Sequence, residues 1–201
     1  TNLAASARTL TATAGDVNFV TGYRGNSQAL NIVGALDLDT GNITGITTMD
    51  VTTTSNIASN ITSSGVQAYD GAVTLTGASI MTTTDGNVTF GSTIASDSSD
   101  RALTVVTDDS NDIVKFTGTV GAGADSELGA IAITGILDAN NTIEAASLTV
   151  SGASTLGGNV STTGGVGQVY SGIATNDAGS AMTLTATSGD VNFATGFRGG
   201  S

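Results

Sequence analysis

Residues 9–27 read TLTATAGDVNFVTGYRGNS, and residues 183–201 read TLTATSGDVNFATGFRGGS. With Thr9 aligned to Thr183, the two stretches are identical at 15 of 19 positions, and residues 1–27 match residues 175–201 at 20 of 27. A chain that returns to its opening sequence is typical of repeat proteins in which each unit contacts its neighbours. We therefore expect residues 1–174 to form one full repeat and residues 175–201 to begin the next.

The composition favours β-structure with a polar surface. Only 11% of the residues are charged and 4% are aromatic, whereas apolar residues make up 39%. Lys, Arg and Glu, which are good helix formers, are scarce, and Thr and Val, which suit exposed and buried strand positions, are abundant. The chain contains 28 Gly and no Pro, so its turns depend on Gly, Asn and Asp.

Short segments that alternate apolar and polar residues predict strands with one buried face. Clear examples are Val17–Phe19, Val73–Leu75, Val88–Phe90, Leu103–Val105, Val114–Phe116, Ile131–Ile133 and Leu148–Val150. A Gly or Asn followed by Asp or Asn predicts a tight turn before many of these strands. This turn motif occurs at residues 15–17, 41–43, 86–88, 111–113, 158–160 and 189–191.

Two all-β architectures fit this pattern: a β-solenoid (β-helix) with irregular coil lengths, or tandem β-sandwich modules. A solenoid with about 20–25 residues per coil would place seven or eight coils in one repeat and rise roughly 35 Å. Sandwiches usually carry a buried Trp or a tyrosine corner, and Pro is common in their loops. This chain has neither Trp nor Pro. The absence of both residues, together with the short Gly/Asn turns, favours the solenoid.

The pattern Q-x-Y-x-G-x-V-x-L, followed by G-[ND]-V-x-F-G, runs through residues 67–91. Its residues are Gln67, Tyr69, Gly71, Val73, Leu75, Gly86, Asn87, Val88, Phe90 and Gly91. In this pattern the chain resembles the repeats of filamentous-haemagglutinin-like adhesins and autotransporter passengers of bacterial surfaces. The resemblance implies a right-handed β-helix on the outside of a bacterium, with no catalytic residues.

We therefore expect a non-catalytic structural repeat of a large extracellular fibre or adhesin stalk, which gives length and stiffness through stacked coils. Neighbouring copies of the repeat would be its partners. The alternative is an adhesive passenger module that binds carbohydrate or a host receptor on cell surfaces.

The net charge of −12 and the absence of His and Cys exclude several functions. Without a basic cluster, binding to nucleic acid or to an anionic membrane surface is not expected. No apolar stretch approaches the roughly 20 residues of a membrane helix, so membrane insertion of this segment is not expected. Triads and Cys–His pairs are impossible. The remaining enzymatic hypothesis is a polysaccharide-active site of Asp108, Asp109 and Asp112 with Lys115 and Arg101, but a solvated acidic turn is favoured.

Two oxygen-rich turns are candidates for a weak calcium site, because calcium binds six to eight oxygens from loops. The candidate ligands are Asp97, Asp100, Asp108, Asp109 and Asp112. Their spacing fits neither the EF-hand nor the nonapeptide calcium repeat. An Asx-rich turn is therefore the favoured interpretation, and we otherwise expect no cofactor.

The repeat also returns an aromatic–Arg pair, Tyr23–Arg24 and Phe197–Arg198. We interpret it as a contact between neighbouring repeats, with a ligand contact as the alternative. A second echo, Gln67-x-Tyr69 and Gln168-x-Tyr170, predicts two coils of similar type. Finally, five N-x-[ST] sequences coincide with turn-to-strand junctions, so glycosylation there is possible but not indicated; they begin at Asn42, Asn60, Asn87, Asn140 and Asn159.

Overall fold

The computed structural model describes residues 6–108, 111–123 and 125–200, and these residues form a single parallel β-sheet of 21 strands wound into a solenoid. No helix occurs among the described residues. Every strand pairing in this part of the chain is parallel. Because β-sandwiches are built from antiparallel sheets, the tandem-sandwich alternative is wrong and the β-solenoid prediction is confirmed.

Most of the strands have only two to five residues, and six are longer. The N-terminal half contains β1 (Arg8–Phe19), β2 (Tyr23–Leu38), β3 (Ile43–Val51), β4 (Ser55–Ile57), β5 (Ile61–Ser63), β6 (Gln67–Tyr69), β7 (Val73–Leu75), β8 (Ser79–Thr83), β9 (Val88–Phe90) and β10 (Ile94–Ser96). The C-terminal half contains β11 (Leu103–Thr107), β12 (Ile113–Phe116), β13 (Leu128–Thr134), β14 (Ile136–Ala139), β15 (Ile143–Val150), β16 (Ser154–Leu156), β17 (Val160–Tyr170), β18 (Ala174–Asn176), β19 (Leu184–Ala186), β20 (Asp190–Phe193) and β21 (Phe197–Arg198).

Each turn of the chain passes through three columns of stacked strands, which we call faces 1, 2 and 3. Face 1 stacks Leu10, Ile32, Val51, Tyr69, Phe90, Phe116, Ala139, Leu156 and Asn176. Face 2 stacks Val17, Leu36, Ser55, Val73, Ile94, Val120, Ile143, Val160 and Leu184. Face 3 stacks Tyr23, Ile43, Ile61, Met81, Val105, Ile133, Val150, Tyr170 and Phe193.

The coils differ in length, as the irregular turn spacing predicts. On face 3 the shortest coil runs from Ile133 to Val150. The longest runs from Val105 to Ile133. Nine levels therefore stack between Tyr23 and Phe193, and insertions at the corners absorb the differences without interrupting the ladder.

The core is the inside of this stack. Alternation along the three-residue strands from β4 to β16 buries the first and third residues and leaves the middle residue at the surface, as in Val73-Thr74-Leu75 and Val88-Thr89-Phe90. Apolar side chains of successive coils therefore contact one another along the axis. On face 1 the rings of Tyr69, Phe90 and Phe116 follow at centroid distances of 5.3 and 5.5 Å. Such stacking stabilises each coil only through its neighbours.

Corners of successive coils also stack directly, and this requires residues without a side chain. A Cβ built on Gly41 would lie 1.9 Å from the carbonyl carbon of Thr21. At a neighbouring corner, Gly22 has φ of 87°, a left-handed conformation that favours glycine. The prediction that turns depend on Gly therefore has a steric basis in the close approach of one corner to the next.

One predicted turn is wrong. Gly15-Asp16-Val17 does not separate two strands, because β1 continues from Arg8 to Phe19. Gly15 has a φ of 88°. The pairing register of β1 with β2 shifts between Thr11 and Asp16. The chain thus changes from face 1 to face 2 within a bent strand. At the second copy of the motif, a bend at residues 187–189 does separate β19 from β20, which begins at Asp190 and includes Val191.

Candidate functional site

The acidic turn at residues 97–100 is held by an internal ion pair. Arg101 donates from Nε to Oδ1 of Asp97 at 2.9 Å and from Nη2 to Oδ2 at 2.8 Å. The amide of Ser99 also donates to Asp97 Oδ1, at 3.0 Å. The guanidinium and this amide hold the pKa of Asp97 below its usual value. Its two oxygens are therefore committed to the turn itself, while Asp100 is exposed.

The second acidic turn is also used for backbone organisation. Asp112 Oδ2 accepts a hydrogen bond from the amide of Gly86 on the preceding coil at 2.8 Å. Asp108 is exposed just after the end of β11, and Asp109 lies outside the described residues. Within the described part of the chain, no three acidic residues come together in a way that could hold a metal ion.

The two cations considered for substrate binding are each paired with a carboxylate. Arg101 binds Asp97, and Lys115 Nζ lies 2.6 Å from Asp138 Oδ2 on the next coil of face 1. Partly exposed pairs of this kind add little to stability, because water and salt screen them. They neutralise charge on outward positions, so neither cation extends toward a carboxylate pair as an acidic-polysaccharide site would require.

The aromatic–Arg pairs lie in the first and last coils. Tyr23 opens β2, and its ring lies 5.4 Å from that of Phe19. The hydroxyl of Tyr23 is enclosed and has no hydrogen-bond partner among the described residues, and burial raises its pKa. In the last coil, Phe197 is 44% exposed and lies 5.0 Å from Phe193. Arg24 and Arg198 are both exposed.

A shallow groove at the first corner includes Tyr23 and Arg24. Its other lining residues are Thr21, Gly22, Asn42 and Thr44, so it is polar and open to solvent. Two further aromatic residues, Tyr69 and Tyr170, would also suit glycan binding by residue type, but both are fully buried. Alternation turns both rings inward, so neither ring is accessible to a glycan.

The two copies of the repeated sequence occupy different faces. Leu10 lies on face 1, whereas its counterpart Leu184 lies on face 2. Val17 and Val191 follow the same rule, on face 2 and face 3. Tyr23 lies on face 3, and Phe197 pairs with Ala174 on face 1. One sequence period therefore corresponds to eight coils and one further face. The period ends at Ala174, within β18, and not at a structural boundary.

Two buried glutamines form polar contacts that the sequence pattern did not identify. The Tyr69 hydroxyl donates to Gln67 Oε1 at 3.0 Å, and the Tyr170 hydroxyl donates to Gln168 Oε1 at the same distance. Each Gln Nε2 donates to a backbone carbonyl of the next coil at 2.9 Å, Thr82 for Gln67 and Thr185 for Gln168. The repeated Q-x-Y spacing was the available signal, because residues two apart share one side of a strand. The prediction of two similar coils is confirmed in their contacts, although they lie on faces 1 and 3.

Asparagines at the corners bind the following coil. In four of the five N-x-[ST] sequences the Asn Oδ1 accepts a backbone amide from the next coil. The pairs are Asn42 with Asn60 at 3.1 Å, Asn60 with Ile80 at 2.9 Å, Asn87 with Ile113 at 2.8 Å and Asn159 with Thr183 at 2.8 Å. These contacts give the Asn side chains a structural use in the stack, independent of any glycosylation.

Comparison with protein-family models, with curated proteins and with solved structures gives no match. The described residues also form no helix long and apolar enough to cross a membrane. Among the described residues, the first and last coils, which carry the repeated sequence, leave apolar side chains half-buried: Leu10, Val17 and Phe19 in the first, and Leu184, Val191 and Phe193 in the last. What they can do chemically is extend the ladder by pairing with another parallel coil.

Proposed function

We propose that this chain is a non-catalytic structural repeat of a long extracellular fibre or adhesin stalk on a bacterial surface, in which stacked coils supply length and stiffness. The observation that carries the proposal is the unbroken parallel ladder through nine levels, combined with a first and a last coil of nearly the same sequence. A ladder of this kind has no unpaired strand edge between its first and last coils, because each coil pairs with the edge of the one before it.

Stiffness follows from how the coils are joined. Backbone hydrogen bonds run along the axis at every strand, and the corners are joined by Asn side chains and by close glycine contacts. Inside, apolar side chains stack in columns along the axis, as Ile43, Ile61, Met81 and Val105 do on face 3. Bending the stack would separate coils on one side and break several of these contacts at once, so a straight rod is expected.

The surface suits a fibre that stays dispersed. Outward positions are filled mainly by Thr, Ser, Asn and Asp, and the net charge of −12 makes neighbouring fibres repel one another. The chain has no Cys and only one Lys. Cohesion therefore rests on the ladder and the core, and we propose neighbouring copies of the repeat as the partners.

The proposal is tested by comparing the end-to-end distance of the single-copy protein with that of a protein that contains two copies. A tandem protein is made by joining residues 28–201 directly after Ser201, so that the second copy continues the natural period. Because the chain has no Cys, single Cys residues near the two ends accept a donor–acceptor or spin-label pair. A rod predicts that the second period adds about 40 Å to the end-to-end distance, at about 4.8 Å per coil.

A much smaller or broadly distributed increase would overturn the structural role, because flexible or folded-back copies give no reach. The adhesive alternative is tested on a glycan array with the single-copy protein and its Tyr23→Ala variant. Glycan binding that disappears in the variant would assign the first corner as a carbohydrate site instead.

A further inference from the structure

Nearly the same sequence forms the first coil and the last coil, and these two coils have different neighbours. At the N-terminal end, Leu10, Val17 and Tyr23 are covered by the coil that contains Ile32, Leu36 and Ile43. At the C-terminal end, Leu184, Phe193 and Phe197 rest on the coil that contains Val160, Tyr170 and Ala174. The first copy therefore shows what covers this coil, and the second shows what supports it.

The inward side chains of the two copies are chemically equivalent. Leu10, Val17 and Phe19 return as Leu184, Val191 and Phe193. All six side chains are only half-buried, because each end coil has a neighbour on one side alone. The surface that Leu184, Val191 and Phe193 leave uncovered thus matches the surface that the second coil covers at the other end of the molecule.

The four differences between residues 9–27 and residues 183–201 do not disturb this surface. Ala14, Val20 and Asn26 are exposed where they occur in the first copy, so their replacement by Ser188, Ala194 and Gly200 leaves the inward contacts intact. The fourth difference is Tyr23 against Phe197, and the hydroxyl that is lost has no hydrogen-bond partner among the described residues. The outward Asn18, which donates to Asp37 on the second coil at 2.7 Å, is retained as Asn192.

We infer that the last coil, residues 184–198, is a docking surface for the second coil, residues 30–44, of a following copy of this repeat, and that each copy is rotated by one face relative to the copy before it. Residues 175–201 of one copy then serve as residues 1–27 of the next. Leu184 lies under Ile32 of the following copy, Val191 under Leu36 and Phe197 under Ile43, as their counterparts do here.

The rotation follows from the coil count. Because Leu10, Val17 and Tyr23 reappear one face further along, each copy advances by eight coils and one third of a turn. Three copies, or 25 coils, restore the original orientation after about 120 Å at the usual strand spacing. A flat surface beside the fibre therefore meets a given face of the repeat once in every three copies. This inference rests on the proposed fibre role and specifies its junction.

Disulfide trapping in the tandem protein tests the junction. In this chain Arg24 pairs with Thr44 across adjacent coils, and stacked strands about 4.8 Å apart lie within disulfide reach. The counterpart at the junction is Arg198 with Thr44 of the second copy. An unrotated second copy would instead place its Asn31 over Arg198, because both then share face 1.

The tandem protein is prepared with Arg198→Cys and either Thr44→Cys or Asn31→Cys in the second copy only. Mild oxidation is followed by mass spectrometry of proteolytic fragments. The single-copy protein with Arg24→Cys and Thr44→Cys is the matched control for the solenoid register. The inference predicts a near-complete link to Thr44→Cys and little link to Asn31→Cys.

A dominant link to Asn31→Cys would overturn the rotation. No link at either position, with the control linked, would overturn the junction while leaving the solenoid of each copy intact. The fibre role is judged separately by the reach of the tandem protein, so failure of the junction chemistry and failure of the fibre are distinguishable.

Discussion

The buried Gln67–Tyr69 pair gives the sharpest test of the core. Tyr69→Phe removes the hydroxyl that donates to Gln67 Oε1 at 3.0 Å, and it changes little else in the stack of rings. Both side chains are fully buried, so water cannot replace the lost donor. A buried carbonyl left without a partner costs about 1–3 kcal/mol. We therefore expect Tyr69→Phe to lower the free energy of unfolding by about that amount.

The chain supplies its own matched control. Tyr23→Phe removes a hydroxyl that has no partner among the described residues, and it creates the residue found at the equivalent position 197. Its free energy of unfolding should therefore not fall, because the change removes no hydrogen bond and relieves the desolvation of an enclosed, unpartnered hydroxyl. Tyr170→Phe, which breaks the same bond to Gln168 at 3.0 Å, should behave like Tyr69→Phe.

Urea unfolding followed by far-UV circular dichroism measures the three variants. Native-state hydrogen exchange then checks that the loss in Tyr69→Phe is centred on coils at residues 61–90. A repeat stack can unfold in stages, so exchange at individual amides is the more direct readout. Equal shifts in Tyr69→Phe and Tyr23→Phe would refute the reasoning, because the paired and unpaired hydroxyls would then be energetically alike.

Three further predictions concern pH, the asparagine corners and the glycine corners. Burial raises the pKa of Tyr69 and Tyr170. In the unfolded chain these side chains ionise near pH 10, whereas in the folded chain they stay neutral. The stability present below about pH 10 should therefore be lost as the pH rises above it. Absorbance at 295 nm should show both rings ionising only with unfolding, and early ionisation would contradict their burial. Asn60→Ala removes the acceptor for the Ile80 amide at 2.9 Å and should cost about 1 kcal/mol in urea unfolding, whereas Asn140→Ala, whose side chain has no hydrogen-bond partner among the described residues, should cost little. Gly41→Ala places a Cβ 1.9 Å from the Thr21 carbonyl carbon and should lower stability by about 1–3 kcal/mol; Gly199→Ala, which meets nothing within 4 Å, is the control, and equal melting temperatures would contradict the stacked corners.

The inward pattern of the core could be predicted from the sequence because a strand has a period of two. Val73 and Leu75, and likewise Val88 and Phe90, are buried as the alternation indicates. Three-residue strands between Gly or Asn corners leave a solenoid as the architecture that covers both edges of every strand. The fold class therefore follows from local pattern and turn chemistry.

The phase of the repeat could not be predicted in this way. It depends on the summed lengths of coils as unequal as Ile133–Val150 and Val105–Ile133, and a strand pattern does not reveal where a corner absorbs extra residues. Likewise, Gln67 reads as a surface residue by its polarity. Its burial depends on acceptors from the next coil, including the Thr82 carbonyl, and such contacts appear only when the coils are stacked.

The acidic candidates show a similar division. The sequence shows that these acidic residues cluster. It does not show which groups their carboxylates bind, because the partners are brought near only in the folded coils. Asp97 is held by Arg101 within its own turn, and Asp112 accepts an amide from another coil. A weak calcium site at these turns stays a prediction.

Cryo-electron microscopy of a tandem protein of six periods tests the central claim most directly. The account predicts one continuous rod with strands about 4.8 Å apart along the axis and about 40 Å per period. Each successive period should be rotated by one third of a turn. A string of separate bodies of about 100 residues, or periods joined by flexible gaps, would contradict the account.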